Sequence, residues 1–409
     1  MYGSKNIPDD FTPVLRFAAA SDAHIKEKGD SACKKLEKLF ETCGVIAEND
    51  EKYPHIDALV MVGDTVNSGE KEQYDAFFGL LNKVKRQETR FLGVIAKYHD
   101  CDKTRSQVAD FTRRTLQPAD FHTVINGFHF IGISVCPDPE VFHYSEEQKA
   151  WLDREIAAAV SDTPHLPVFV FQHEHVRDTV YGSTLFDGWG EIYFSDIFIK
   201  YPNIIDVSGH SHYPANDPRA IWQGDFTAVN DGGLSYFEFT FDGERKYHPA
   251  NADVMAQFLI IEADKKGAVR IRTYDLNANA FTADRFIPNA ADKSAFYYGH
   301  EQRTAKAAPP YFESSAEISA AKTESGCTLA APPAKTGEDD AVFLYRLSVL
   351  NENGAEVLSE KSLSDYYYRC EPENVSFDCA LPSGKYTAFL TAESVWQKQS
   401  APLTAHFEI

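Results

Sequence analysis

Long apolar runs are missing from this sequence: no stretch approaches the ~18 consecutive apolar residues of a membrane-spanning helix. Residues 1–10 carry neither a basic segment followed by an apolar one nor a small-residue cleavage site. A soluble chain with no membrane association and no address is therefore expected, resident in the cytoplasm, with export after loss of a signal as the alternative. Basic residues are also scarce, with 40 Lys and Arg against 61 Asp and Glu for a formal net charge of -21. Such a body repels a phosphate backbone, which excludes polymeric nucleic acid as an expected partner. The seven cysteines include no CxxC pair and are odd in number, so free thiols in a reducing compartment are expected. Cys370 and Cys379 would close a hairpin only if the protein were exported. Internal repeats and low-complexity tracts are absent as well.

What remains is ordinary globular composition, 43% hydrophobic and 25% charged over 409 residues, enough for two or three domains. Up to about residue 300, apolar runs of strand length alternate with helical patterns, which implies an α/β core. Leu36, Leu39, Phe40 and Cys43 follow i, i+3, i+4, i+7 spacing, and Tyr74, Phe77, Phe78 and Leu81 repeat it, so two one-sided helices are predicted. A third should start at Ser145, where Ser145-Glu146-Glu147-Gln148 has the form of a capping box. Beyond residue 304 the helical periodicity stops. Residues 301–310 read as a linker and Pro332-Pro333 as an early loop. Strand-like runs at 342–350 and 385–391, each beside a Gly-bearing turn, predict a small β-sandwich over 305–409, with residues 1–304 as the α/β domain.

The informative pattern lies at the carboxyl end of each apolar run. Residues 14–20 lead into Ser21-Asp22-Ala23-His24, 56–62 into Gly63-Asp64, and 91–96 into Lys97-Tyr98-His99-Asp100. Residues 167–171 lead into Gln172-His173-Glu174-His175, and 203–207 into Ser208-Gly209-His210-Ser211-His212. In an open α/β sheet the carboxyl ends of the strands form the ligand crevice, so these residues should converge from distant positions. A single Asp after a buried strand is usually a turn or a helix cap, and a single His there is usually hydrogen-bonded structure. Five strands ending alike make the functional reading far the stronger one. Imidazole with carboxylate suits Mn, Fe or Zn, and an Asp can bridge two ions, the arrangement that supports phosphoester hydrolysis.

In chain order, Asp22-x-His24, Gly63-Asp64, His99-Asp100, His173 and Gly209-His210-x-His212 resemble the five blocks of the calcineurin-like metallophosphoesterase superfamily, over roughly residues 14–240. The resemblance implies two facing mixed β-sheets flanked by helices, with the site at the strand ends. It implies two divalent metal ions, one held by Asp22, His24 and His212 and the other by His173 and His210, with Asp64 bridging. It further implies attack of a metal-bridging hydroxide on a phosphodiester or a phosphomonoester, with His99 contacting the phosphate and assisting the leaving oxygen. Asp100 is expected to orient His99. The substrate class is a small phosphoester, nucleotides among the candidates, and diesters are favoured over monoesters. The C-terminal sandwich, with Tyr386 entering a late strand, resembles a fibronectin type III or immunoglobulin-like module of unknown partner.

The third block departs from the family pattern of Gly-Asn-His followed by an acid, because Tyr98 stands where the family has Asn. Either the phenol binds the second metal as phenolate, or it points away and water completes the shell. Lys97 would repel the metals or bind substrate phosphate. A protein of this fold with an impaired site, acting as a binding or scaffold module, is the alternative function. Cys101 is expected to be a buried filler. Residues 174–190 would form either a substrate wall or a loop packed on its own aromatics, and Asn230-Asp231-Gly232-Gly233 is expected to turn at the rim of the site.

Overall fold

The computed structural model describes residues 7–101, 105–136, 138, 141, 143–368 and 373–409. The chain divides into two compact units, Gly3–His300 and Glu301–Ile409. In chain order the first unit opens with β1 (Leu15–Ala20), α1 (Ser31–Glu48), β2 (Ala58–Val62), α2 (Lys71–Val84), β3 (Arg90–Val94) and α3 (Arg105–Thr115). Next come β4 (Phe121–Ile125), β5 (Phe128–Gly132), α4 (Glu146–Asp162), β6 (Val168–Phe171), β7 (His175–Val176), β8 (Gly190–Glu191) and α5 (Ser195–Phe198). It continues with β9 (Ile204–Ser208), β10 (Ile221–Gln223), β11 (Thr227–Asn230), β12 (Phe239–Phe241) and β13 (Glu244–Tyr247). The hairpin partners β14 (Gln257–Ala263), β15 (Val269–Asp275) and β16 (Ala280–Ile287) complete it.

Two six-stranded mixed sheets result, in the orders β16-β15-β14-β1-β2-β3 and β10-β11-β9-β6-β5-β4. Strands β1, β2 and β3 run parallel, as do β5, β6, β9 and β11. Alternation along β1 shows why the sheets face each other. Leu15, Phe17 and Ala19 enter a core shared with Phe130, Phe169 and Phe171 of the second sheet. Ala18 and Ala20 point the other way, into a core with Leu36 and Leu39 of α1 and Phe77 of α2. The ring of Phe17 lies 5.0 Å from that of Phe130 and 4.9 Å from that of Phe169, both edge-on. On the outer face of the second sheet, Val168, Val170 and Ile204 pack on Leu152, Ile156 and Ala159 of α4.

The helices start where their side chains allow. Asp30 caps α1 by accepting from the Cys33 amide at 2.8 Å, and Ser145 and Gln148 close a reciprocal capping box on α4, both bonds at 3.1 Å. Among the described residues no helix is long and apolar enough to cross a membrane.

Helix α6 (His300–Lys306) begins at the last residue of the first unit, and the second unit holds β17 (Ser319–Lys322), β18 (Cys327–Ala331), β19 (Val342–Asn351), β20 (Glu356–Leu363), β21 (Val375–Cys379), β22 (Lys385–Ser394) and β23 (Leu403–Glu408). Its two antiparallel sheets, β17-β18-β21 and β20-β19-β22-β23, share one core that includes Leu329, Leu347, Phe377 and Leu390. The expected linker at 301–310 instead starts with a helix. Its run of Gln, Arg, Ala and Lys is a good helix former, and Arg303 fixes it with a two-pronged bond to Asp339 at 2.7 and 2.6 Å and a 4.5 Å approach to the Trp396 ring.

Candidate metal centre

The parallel strands of both sheets deliver their carboxyl ends to one place, where the backbone bends sharply. Asp22, His24, Asp64, Tyr98, His210 and His212 all have φ between 49 and 75°, six of the fifteen such non-glycine residues among those described. The left-handed conformation is costly for side chains of this kind, and its concentration here marks a site that the surrounding fold over-determines. Backbone bonds lock the bends: the amides of Asp22 and His24 donate to the carbonyls of Gly63 and Asp64 at 3.1 and 3.0 Å, and Gly209 donates to His173 at 3.0 Å.

Three groups of side chains gather there with ligand atoms mutually within 4.8 Å: Asp22, His24 and His212; Asp64, His173 and His210; and His24, Asp64 and His99. The Nε2 atoms of His24 and His212 are 3.2 Å apart, and His173 Nε2 is 3.1 Å from His210 Nδ1. Asp22 Oδ1 lies 3.3 Å from His212 Nε2 and 3.7 Å from His24 Nε2, and Asp64 Oδ2 lies 3.3 Å from His173 Nε2. The rings are turned by their outer nitrogens. His173 Nδ1 donates to the Val62 carbonyl at 2.8 Å and His99 Nδ1 to the Asn67 carbonyl at 2.8 Å, while His212 Nδ1 sits 3.2 Å from the Tyr236 carbonyl. That leaves Nε2 lone pairs facing inward, the pattern seen around metal ligands.

Charge completes the picture. Burial works against ionising Asp22 and Asp64, yet the neighbouring imidazoles outweigh it and hold both carboxyls below the ordinary range. Burial, together with the charge of His173, pushes His210 down to about 4, and burial pushes His212 to about 4 against the pull of Asp22. His173 goes the other way: burial is overcome by Asp64, which raises it well above the usual value. Two buried carboxylates therefore draw positive charge to this spot. Asp22 Oδ1, which faces His212 and His24, and Asp64 Oδ1 are both buried with no hydrogen-bond partner, a costly state that a divalent cation would relieve. Carboxylate oxygens and imidazoles are a donor set that fits a divalent metal ion.

Tyr98 lies apart from these groups. Its side chain is 54% exposed, and its ring contacts are with the Lys97 ammonium at 5.6 Å and the His143 ring at 6.2 Å. The structure thus corrects the expectation of a Tyr98 ligand: with the left-handed backbone at residue 98, the phenol packs outward. Asp100 is corrected too. Its Oδ1 accepts from the Val66 amide at 3.0 Å and its Oδ2 from the Ala96 amide at 3.1 Å, so it ties the β2 and β3 loops together, and the Asn67 carbonyl is what holds His99. His99 Nε2 stands 4.0 Å from Asp64 Oδ2 with its side chain 41% exposed, half open to the crevice. Cys101 is a buried member of the first core.

Further residues support the ligand groups, some in places the sequence does not indicate. Ser21 Oγ donates to Asp22 and lies 2.6 Å from Asp231 Oδ1, so Asp231 backs Asp22 from a fully buried position at the end of β11 rather than from the rim. It follows an apolar strand just as Asp22 and Asp64 do, which was the available signal. Tyr236 stacks on His212 with centroids 4.0 Å apart. Within the 174–190 loop, Trp189 meets His210 edge-on at 4.9 Å, and Lys246 covers its ring at 4.2 Å, so that loop does reach the centre. Gly63, at φ +90°, leaves room that a Cβ would take from His173 Nδ1, only 2.6 Å away. Gly63→Ala should therefore displace His173 and weaken cation binding by roughly 10–100-fold. A metal-binding isotherm equal to the parent's would show that His173 tolerates the methyl group.

No protein-family model matches this sequence, and no curated protein matches it. Among solved structures, the chain is similar to a purple acid phosphatase from yellow lupin (Lupinus luteus) seeds, with TM-score 0.49 and 14% identity, covering 67% of this chain and 53% of that one. It spans about half the length of that enzyme. A hypothetical protein from Pyrococcus horikoshii is matched at TM-score 0.18 and 10% identity, covering 25% of this chain and 88% of that one. A set of titin domains is matched at TM-score 0.16 and 10% identity, covering 36% of this chain and 39% of that one.

Proposed function

We propose that this chain is a metal-dependent phosphoesterase of the calcineurin-like kind, acting on a small phosphoester and on diesters in preference to monoesters. The observation that carries the reading is the gathering of Asp22, His24 and His212 beside Asp64, His173 and His210 at the carboxyl ends of two facing sheets. The first three residues would hold one cation, His173 and His210 the second, and Asp64 would touch both. When bound, a pair of divalent cations supplies Lewis acidity toward phosphoryl oxygens and an activated water at neutral pH. The chain's own residues do the rest. His99, donating through Nδ1 to Asn67, presents Nε2 to the crevice, where it can hold a proton and pass it to a departing alkoxide. Trp189 and Tyr236 flank the two ligand groups and would wall the leaving group away from water.

The second unit reads as a fibronectin type III-like module. Support comes from its two antiparallel sheets and from Tyr386, at the start of β22, whose hydroxyl donates to the Pro382 carbonyl at 2.8 Å in the manner of a tyrosine corner. A second function reading is favoured by one observation: the outward Tyr98 leaves the His173–His210 side with fewer protein donors than the family pattern. On that reading the protein binds phosphoesters without turning them over.

The deciding assay is hydrolysis of bis-p-nitrophenyl phosphate and p-nitrophenyl phosphate with Mn²⁺, beside chelator and His210→Ala controls. Turnover of the diester that disappears in both controls is expected. No turnover with any divalent metal would overturn the enzyme reading and favour the binding one.

A further inference from the structure

Cys327 and Cys379 belong to no part of the metal centre, and they stand in an arrangement that neither cysteine spacing nor the proposed function anticipates. They occupy directly opposite positions in the antiparallel pair β18–β21, in a register that runs without a break from Cys327↔Cys379 to Ala331↔Val375. Directly opposite residues in such a ladder have Cα atoms roughly 4.5–5.5 Å apart and side chains on one face. A disulfide requires about 4.4–6.8 Å, so the backbone needs no movement to accept one. Both side chains are buried, at 2% and 3% exposure, within the core of the second unit.

From this register we propose that Cys327 and Cys379 form an intramolecular cross-strand disulfide when a small-molecule disulfide oxidant is present. One thiolate attacks the oxidant, releasing one equivalent of its thiol and leaving a mixed disulfide. The second thiolate then displaces the other equivalent, so two protein thiols are oxidised and one oxidant disulfide is reduced to two thiols. The bond joins two strands of the three-stranded sheet and encloses β19 and β20, a long loop whose closure restricts the unfolded chain strongly. Exchange in the folded state is slow, because burial raises the Cys327 thiol, and burial together with the neighbouring Cys327 pushes the Cys379 thiol up to about 11. The bond therefore forms as the second unit folds. The hairpin that export would allow, Cys370 with Cys379, involves a residue that lies outside those described, and the register sets Cys379 opposite Cys327.

The experiment uses the full chain, refolded with oxidised and reduced glutathione, alkylated, and digested without reduction. Cleavage after Glu373 separates Cys370 from Cys379, so the partner of Cys379 is read directly. The expected product is a peptide pair containing Cys327 and Cys379, two hydrogen masses lighter than its reduced sum. The melting midpoint of the second unit should rise by roughly 10 °C against the reduced protein. Cys370→Ser should leave both results unchanged. Recovery of Cys327 and Cys379 as alkylated thiols after this treatment, or linkage of Cys379 to Cys370, overturns the proposal. The mapping is done on the unmutated chain, so no variant's failure to fold can obscure it.

Discussion

Asp64→Asn should remove at least one cation per chain and lower diester hydrolysis by on the order of 10³-fold or more while leaving the fold intact. The substitution keeps the shape of the side chain and deletes only its charge and one lone-pair-rich oxygen. Asp64 belongs to two of the three ligand groups, and its Oδ2 faces His173 at 3.3 Å, His24 at 3.8 Å and His99 at 4.0 Å. Its charge also favours a proton on His173 over burial, so its neutralisation removes a negative charge that draws positive charge to the β6 side. Charge stabilisation by a metal pair amounts to several kcal/mol, and each ~1.4 kcal/mol is tenfold in rate, which sets the expected loss. Metal content after dialysis and turnover with saturating Mn²⁺ check it together. Full metal content with unchanged turnover would remove Asp64 from the centre.

The ligand groups were legible in the sequence because each acidic or histidine residue directly follows an apolar run, and topology alone carries such strand ends to one crevice. Helices α1, α2 and α4 were legible for an equally local reason, their one-sided spacing and, in α4, the Ser145–Gln148 box. What failed depended on directions that no local pattern fixes. Sequence adjacency made Asp100 look like the partner of His99, but the turn after β3 sends its carboxylate to two backbone amides instead. Tyr98 stands at a ligand's position in the block, yet its left-handed backbone puts the ring against Lys97 and His143. Gly232 and Gly233 suggest a turn that would put Asp231 at the rim. In the fold it is buried against Ser21, since β11 lies next to β9 in the second sheet. The pairing of Cys327 with Cys379 required a strand register across a separation that spacing rules do not reach.

A contrasting outcome is expected at Glu262, where stability should fall and chemistry should not. Glu262 on β14 is 2% exposed, and its register neighbours are Arg16 on β1 and Arg270 on β15. Arg16 Nε donates to Oε1 at 2.7 Å, while Arg272 and Arg270 approach Oε2 at 3.3 and 3.7 Å. One carboxylate is thus shared by three guanidiniums, of which Arg16 is 1% exposed and also pairs with Asp50, and Arg270 also holds Asp284 in a two-pronged ion pair. Glu262→Gln keeps the volume but leaves those cations facing a neutral amide, and breaking a buried pair from one side typically costs ~3–5 kcal/mol. Arg16 keeps its bonds to Asp50 and to the Tyr53 carbonyl at 2.5 Å, which places the expectation near the lower end. Arg16→Met should cost less, because Glu262 still has Arg270 and Arg272. Urea unfolding of the two variants tests the order, with the Gln variant the less stable of the two. Below its melting temperature its metal content should match the parent's, since the cluster spans β1, β14 and β15 at the amino end of β1, away from the carboxyl-end crevice. Equal stabilities would mean that the Arg16–Glu262 pair accounts for the whole effect and that Arg270 and Arg272 add nothing to it.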